Sequence, residues 1–213
     1  MSKLMVAVVV VWALAGVAFA NLLINPSFED AGLNEWTPDG WSRSDPGVFR
    51  NDTGNWGLEW VQDGTWTMRS EMGGAGNDLS FGQDVVENAG LGAVATFSIY
   101  ILRNDNAGFD DLYIDFGWKW DGGDAWQSVS LASAVAAQSW ASGWVQHTVA
   151  FTNTFNAGVN EMSLWVNVDN YDGSAGSSDL LFDSAYLQIP EPTAFALMGV
   201  GTLIACALRR KKA

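Results

Sequence analysis

The chain has 213 residues, 24 of them acidic against 10 Lys or Arg, for a net charge of −14. A surface this acidic lacks the cationic contacts that nucleic acid demands, so a nucleic-acid partner is excluded. The one cysteine is Cys206, close to the C-terminus. The rest of the chain therefore has no disulfide, no thiolate nucleophile and no cysteine-based zinc site.

Residues 1–20 read as a signal peptide. Lys3 supplies a small positive n-region and Leu4–Val17 an apolar core, and Ala18-Phe19-Ala20 forms an A-x-A cleavage site. Cleavage by signal peptidase would leave Asn21 as the mature start. All 24 acidic residues lie between Glu29 and Glu191, with only Arg43, Arg50, Arg69, Arg103 and Lys119 as cations among them. The exported part thus carries a net charge near −19. Such a charge suits divalent cations or neutral glycans, and solubility alone is a sufficient reason for most of it.

Residues 21–189 read as one all-β domain, an antiparallel jelly-roll β-sandwich. Short runs alternate with period two between clusters of Gly, Asn, Asp and Ser. Ala95, Phe97, Ile99 and Ile101 alternate with Thr96, Ser98 and Tyr100. Leu112, Ile114 and Phe116 alternate with Tyr113, Asp115 and Gly117. Val145, Val149 and Phe151 share a parity, with His147 between them. Met162, Leu164, Val166 and Val168 alternate with Ser163, Trp165 and Asn167, and Leu181, Ala185 and Leu187 mark a last strand. Leu131–Gln138 alone is rich in helix formers. Asp169–Ser174 reads as an Asp/Gly turn, because the trailing Glu of an EF-hand loop is absent.

Residues 190–213 form a separate tail. Pro190-Glu191-Pro192 precedes an uncharged apolar run, Thr193–Leu208, and a basic end, 209–213, that opens with Arg209 and Arg210. Sixteen helical residues span about 24 Å, somewhat less than a hydrocarbon core of about 30 Å, and snorkelling cations make up part of the difference. The tail therefore reads as a transmembrane helix with its basic end cytoplasmic. This arrangement resembles the PEP-CTERM sorting signal of Gram-negative bacteria. The resemblance implies an exosortase, a membrane transpeptidase, as partner. It also implies transient anchoring followed by transfer to the envelope, cell surface or extracellular matrix.

A second resemblance lies at the two ends of the domain. Asn21 to Glu29, with its Asn25-Pro26-Ser27-Phe28-Glu29 core, is similar to the opening strand of galactose-binding-like jelly rolls, which include many carbohydrate-binding modules. Leu180 to Leu187 resembles their closing strand, with Ser184 in place of the usual second Asp. The resemblance implies one structural calcium ion with Glu29 and Asp183 as side-chain ligands and loop carbonyls completing the shell. The plain alternative is that both carboxylates are solvated or cap a turn.

Eleven of the 12 tryptophans fall in the exported domain. Sugars pack their C–H faces on aromatic rings and offer hydroxyls to Asn and Asp. The alternation turns Trp165, Tyr113, Tyr100, Asp115 and Asn167 outward, where they would form a sugar platform rimmed by Trp56, Trp60, Trp66 and Trp126. Trp36, Trp41, Trp118 and Trp120 read as core or loop bracing. His147, the only histidine, reads as a surface strand residue rather than a base, and no nucleophile elbow, zincin helix or phosphate loop occurs. The leading expectation is a non-catalytic, carbohydrate-binding surface or matrix protein that meets extracellular polysaccharide. A structural envelope or biofilm protein without sugar binding and, more remotely, a polysaccharide-degrading jelly-roll enzyme are the alternatives.

Overall fold

A computed structural model describes residues 21–34, 36–44, 48–52, 61–72, 78–103, 109–169 and 178–189. The signal segment with Ala18 and Ala20, the loop tryptophans Trp56 and Trp60, most of the 169–174 turn and the whole tail from Pro190 lie outside the described residues. Among the described residues twelve strands form: β1 (Ala31–Asn34), β2 (Thr37–Pro38), β3 (Ser42–Arg43), β4 (Val48–Asp52), β5 (Trp66–Met72), β6 (Leu79–Val85), β7 (Val94–Arg103), β8 (Asp111–Trp120), β9 (Gly123–Ser130), β10 (Val145–Thr152), β11 (Val159–Asp169) and β12 (Ser178–Gln188). A short helix, α1 (Ala132–Ala136), follows β9 within the stretch of helix formers.

The strands pair into two five-stranded antiparallel sheets, ordered β10-β7-β12-β5-β4 and β3-β6-β11-β8-β9, with β1-β2 as a separate ribbon. Non-consecutive neighbours in both sheets mean that the chain crosses repeatedly between layers. The inward side chains have the parity that the period-two pattern predicts. Phe97, Ile99 and Ile101 on β7, Leu112, Ile114 and Phe116 on β8, and Met162, Leu164 and Val166 on β11 are fully buried in one core. Two aromatic pairs cross the gap between sheets. Phe116 of β8 stacks on Phe151 of β10 at 4.9 Å, and Phe81 of β6 meets Phe182 of β12 edge-on at 5.1 Å. Each such pair adds about 0.5–1.5 kcal/mol beyond its area burial. Trp118 and Trp41 are buried as expected.

Two expectations need correction. The opening segment is not a strand: residues 21–30 form turns, because Asn25 and Phe28 take left-handed φ values of 47° and 61°. Asn25 holds that turn through its side chain, which accepts from the Asp30 N–H at 3.0 Å and donates to the Asp30 carbonyl at 2.7 Å. The turn drives Phe28 into the core against Trp41 and Phe81. Of the tryptophans read as core or loop bracing, Trp36 lies at the β1–β2 turn, 51% exposed. His147 is half-buried on the inward parity of β10, opposite Ile99, with its Nε2 against the Gln138 amide. Burial holds its pKa below the ordinary imidazole value.

Candidate functional site

The outer face of the sheet β3-β6-β11-β8-β9 gathers most of the described platform residues. Antiparallel register puts Trp165 of β11 directly opposite Asp115 of β8 on one side and Gly82 of β6 on the other. Asn167 is opposite Tyr113, and Ser128 of β9 is opposite Asp115. Side chains of directly opposed residues share a face, so Trp165, Asp115, Asn167, Tyr113 and Ser128 stand together, all partly or well exposed.

Two glycines set the attitude of the tryptophans. A Cβ on Gly82 would lie 2.5 Å from the Trp165 ring, and a Cβ on Gly117 would lie 2.9 Å from the Trp126 ring. Each indole therefore lies across the bare backbone of the neighbouring strand and turns its other side outward. Only glycine permits this approach, which is one of the reasons a strand interior tolerates one. Trp126 is 45% exposed, and its Nε1 donates to Asp124 at 2.7 Å, which fixes the ring.

The polar groups between the rings are preordered. Asp115 accepts from the Ser128 hydroxyl and, at 3.2 Å, from the Asn167 amide. Its carboxylate thus has a fixed position beside Trp165 and retains lone pairs for further donors. Farther along the face, Lys119 donates to Glu161 at 2.7 Å and to Asp84 at 3.1 Å, and Ser163 also donates to Asp84. Lys119 is thus committed to two carboxylates. The face offers oxygen acceptors and aromatic surface, an arrangement matched to hydroxyl donors on an apolar ring. A cleft of about 520 Å³, lined by Gly32 and residues 37–43, lies at the β3 edge. Ser42 of that cleft pairs with Gly82, so it borders the strip under Trp165.

Tyr100 does not belong to this site. Its strand, β7, lies in the other sheet, where Tyr100 is opposite Gln146 and Asp183. Outward parity fixes the face of a residue within its own sheet and leaves open which sheet that is. Trp66 opens β5 of that same second sheet, with the Arg50 guanidinium 4.0 Å from the centre of its ring.

Glu29 and Asp183 do meet, on one loop. Glu29 Oε1 accepts from the N–H groups of Thr65 and Trp66, both at 2.9 Å. Asp183 Oδ2 accepts from Gln62 at 2.9 Å and Asp63 at 3.1 Å, while Oδ1 accepts from Ser184 at 2.6 Å. Ser184 takes a left-handed φ of 48° inside a register shift of β12. The pair clamps the 62–66 segment to the first turn and the last strand. Burial, with a smaller push from the Glu29 charge, raises Asp183 to about 7 despite three N–H donors. The two carboxylates meet here, and the partners that fix them are five backbone N–H groups. Among the described residues no cluster of three or more His, Cys, Asp or Glu could hold a metal ion.

Comparison with solved structures defines the class of fold. A cyclase from Fischerella sp. TAU superposes with a TM-score of 0.57 at 13% identity, over 82% of this chain and 98% of the cyclase. TmCBM61, solved in complex with β-1,4-galactotriose, gives 0.47 at 19% identity over 79% of this chain and 97% of the module. A Family 16 carbohydrate-binding module gives 0.49 at 15%, over 78% and 99%. At 13% identity the likeness to the cyclase is one of fold alone. No curated protein sequence matches the chain.

The particular feature of this chain is its C-terminus. Residues 188–212 match the PEP-CTERM protein-sorting motif. The motif marks an extracytoplasmic protein processed by an exosortase.

Proposed function

We propose that this protein is a non-catalytic glycan-binding module, carried to the cell surface or matrix of a Gram-negative bacterium by its sorting tail. The observation that carries the reading is Trp165 lying across Gly82 with the fixed Asp115 carboxylate and Asn167 beside it. An aromatic face flanked by ordered acceptors suits the C–H face and hydroxyls of a pyranose. The acidic composition favours neutral polysaccharides over uronate polymers. The tail, Thr193–Leu208, inserts as a transmembrane helix until the exosortase acts at Pro190-Glu191-Pro192. Affinity electrophoresis of the domain 21–189 through gels of neutral and uronate polysaccharides tests the binding. Retardation on a neutral polymer, lost in Trp165→Ala, is expected; equal mobility on every gel would overturn the reading.

A calcium ion belongs to the same proposal at the Glu29–Asp183 clamp. It would neutralise two neighbouring carboxylates and tie the first turn to the last strand. Chelation would then lower the melting temperature and calcium would restore it. An unchanged melting temperature would remove the ion from the account.

A further inference from the structure

We infer that one end of the sandwich is a membrane-docking surface, which holds the domain against the bilayer while the tail is still attached. The inference rests on the proposed insertion of Thr193–Leu208, and it is independent of glycan binding. The β6–β7 loop (86–93) and the β10–β11 loop (153–158) are tied into one rigid end. Gly92 N–H donates to the Asn153 carbonyl at 2.8 Å, and Asn153 N–H donates to the Ala93 carbonyl at 2.9 Å. The Asn153 side chain bridges further to Gly90 at 3.0 Å. This end exposes four large apolar residues: Val86 at 83%, Leu91 at 64%, Phe155 at 45% and Val94, the first residue of β7, at 37%. Rigid loops with apolar tips in water mark an interaction surface.

The position of the tail identifies the occupant. β12 runs toward this end: Gln188 pairs with Thr96, two residues from Val94, and Val94 pairs with Thr152 at the end of β10. The chain therefore leaves the sandwich beside these loops. Thr193 follows Ile189 by four residues, a reach of at most about 14 Å when fully extended. A membrane-inserted tail would thus bring this end of the sandwich, and no other, to the lipid interface. Tethering also raises the local concentration of lipid, so modest apolar contacts suffice. The two loops contain one acidic residue, Glu87, and the adjacent β8–β9 turn contains Asp121. With no cation in these loops the surface suits zwitterionic rather than anionic lipid. Strands that stand on the bilayer in this way leave the Trp165 face open to the side.

The test uses the mature chain, residues 21–213, in phosphatidylcholine vesicles, with Cys206→Ser and a fluorophore on a single introduced cysteine. Asn88→Cys and Thr154→Cys place the label in the two loops, and Ala134→Cys places it on the exposed side of α1 at the opposite end. Flotation with the vesicles reports insertion of the tail itself. A lipid-borne quencher should then quench positions 88 and 154 at least about threefold more than position 134. Adding Leu91→Asp and Phe155→Asp should return position 154 to the level of position 134. Flotation with equal quenching at all three positions would overturn the docking and leave the tail reading standing, whereas failure to float would overturn both. Concentration-dependent protection from a water-soluble quencher, without lipid quenching, would assign the surface to a second copy and overturn the proposal.

Discussion

The two sheets present opposite kinds of outer face. On β3-β6-β11-β8-β9 the outward residues are Trp165, Tyr113, Asp115, Asn167 and Ser128, partly or well exposed, with Asp115 hydrogen-bonded to both Ser128 and Asn167. On β10-β7-β12-β5-β4 the outward parity of the central strands instead contains Leu102, Leu181, Arg69 and Asp183, all buried, beside a half-buried Tyr100, and the face opens to solvent along the β10 edge at Gln146, Thr148 and Ala150. One face is open and polar around its aromatic rings. The other is buried at its centre, where it contains the most perturbed carboxyl group among the described residues. An outward-facing aromatic is therefore a site candidate only when its neighbours on the same sheet are also open and polar.

The contrast can be broken at single residues. The largest expected effect is on binding: Trp165→Ala should weaken retention on a bound polysaccharide at least tenfold, consistent with a loss of about 1.4 kcal/mol or more. Tyr100→Ala should leave retention unchanged, and gel mobility of the two variants compares the faces directly. The second effect is on stability and belongs to the other sheet. Asp183 titrates near 7 when folded and near 3.8 when unfolded. Between those values the folded protein binds the extra proton, so stability should fall as pH rises from about 4 to about 7 and level off above, by up to about 1.4 kcal/mol per pH unit. Denaturant melts of the chelated protein across this range measure the slope. Asp183→Asn should flatten it, and saturating calcium should do the same if the ion binds the carboxylate.

How much of this is legible in the sequence depends on the range of the signal. Period-two alternation places Trp165, Asp115, Asn167 and Tyr113 outward, because pleating ties parity to face over a few residues. Nothing in that alternation says which strands are neighbours, and this is why it groups Tyr100 with Trp165 although β7 belongs to the other sheet. The Asn25-Pro26-Ser27-Phe28-Glu29 segment marks the start of the fold correctly, but its left-handed turn is hidden by an apolar run that looks extended. The clamp of Glu29 and Asp183 on residues 62–66 joins segments up to 121 positions apart, beyond any local pattern. Gly82 and Gly117 do carry a usable signal, since a glycine inside a strand run indicates a close approach. Ser128 carries none, because serine is common on any solvated strand.

Two smaller effects sharpen the same contrast. Gly117→Ala would press a Cβ against Trp126, the movable partner, and should weaken polysaccharide retention a few-fold with the melting temperature nearly unchanged. Lys119→Met removes a pair of partly exposed ion pairs, and it should cost under about 1 kcal/mol in denaturant melts without affecting retention.

The central claim is that the Trp165 face is where this protein meets its ligand. Indole N–H resonances of the isotopically labelled domain, followed while an oligosaccharide of a retained polymer is titrated in, test that claim most directly. The account predicts that Trp165 and Trp126 shift with saturation while the buried Trp118 and Trp41 stay in place. Shifts confined to Trp66, on the opposite sheet, would contradict it.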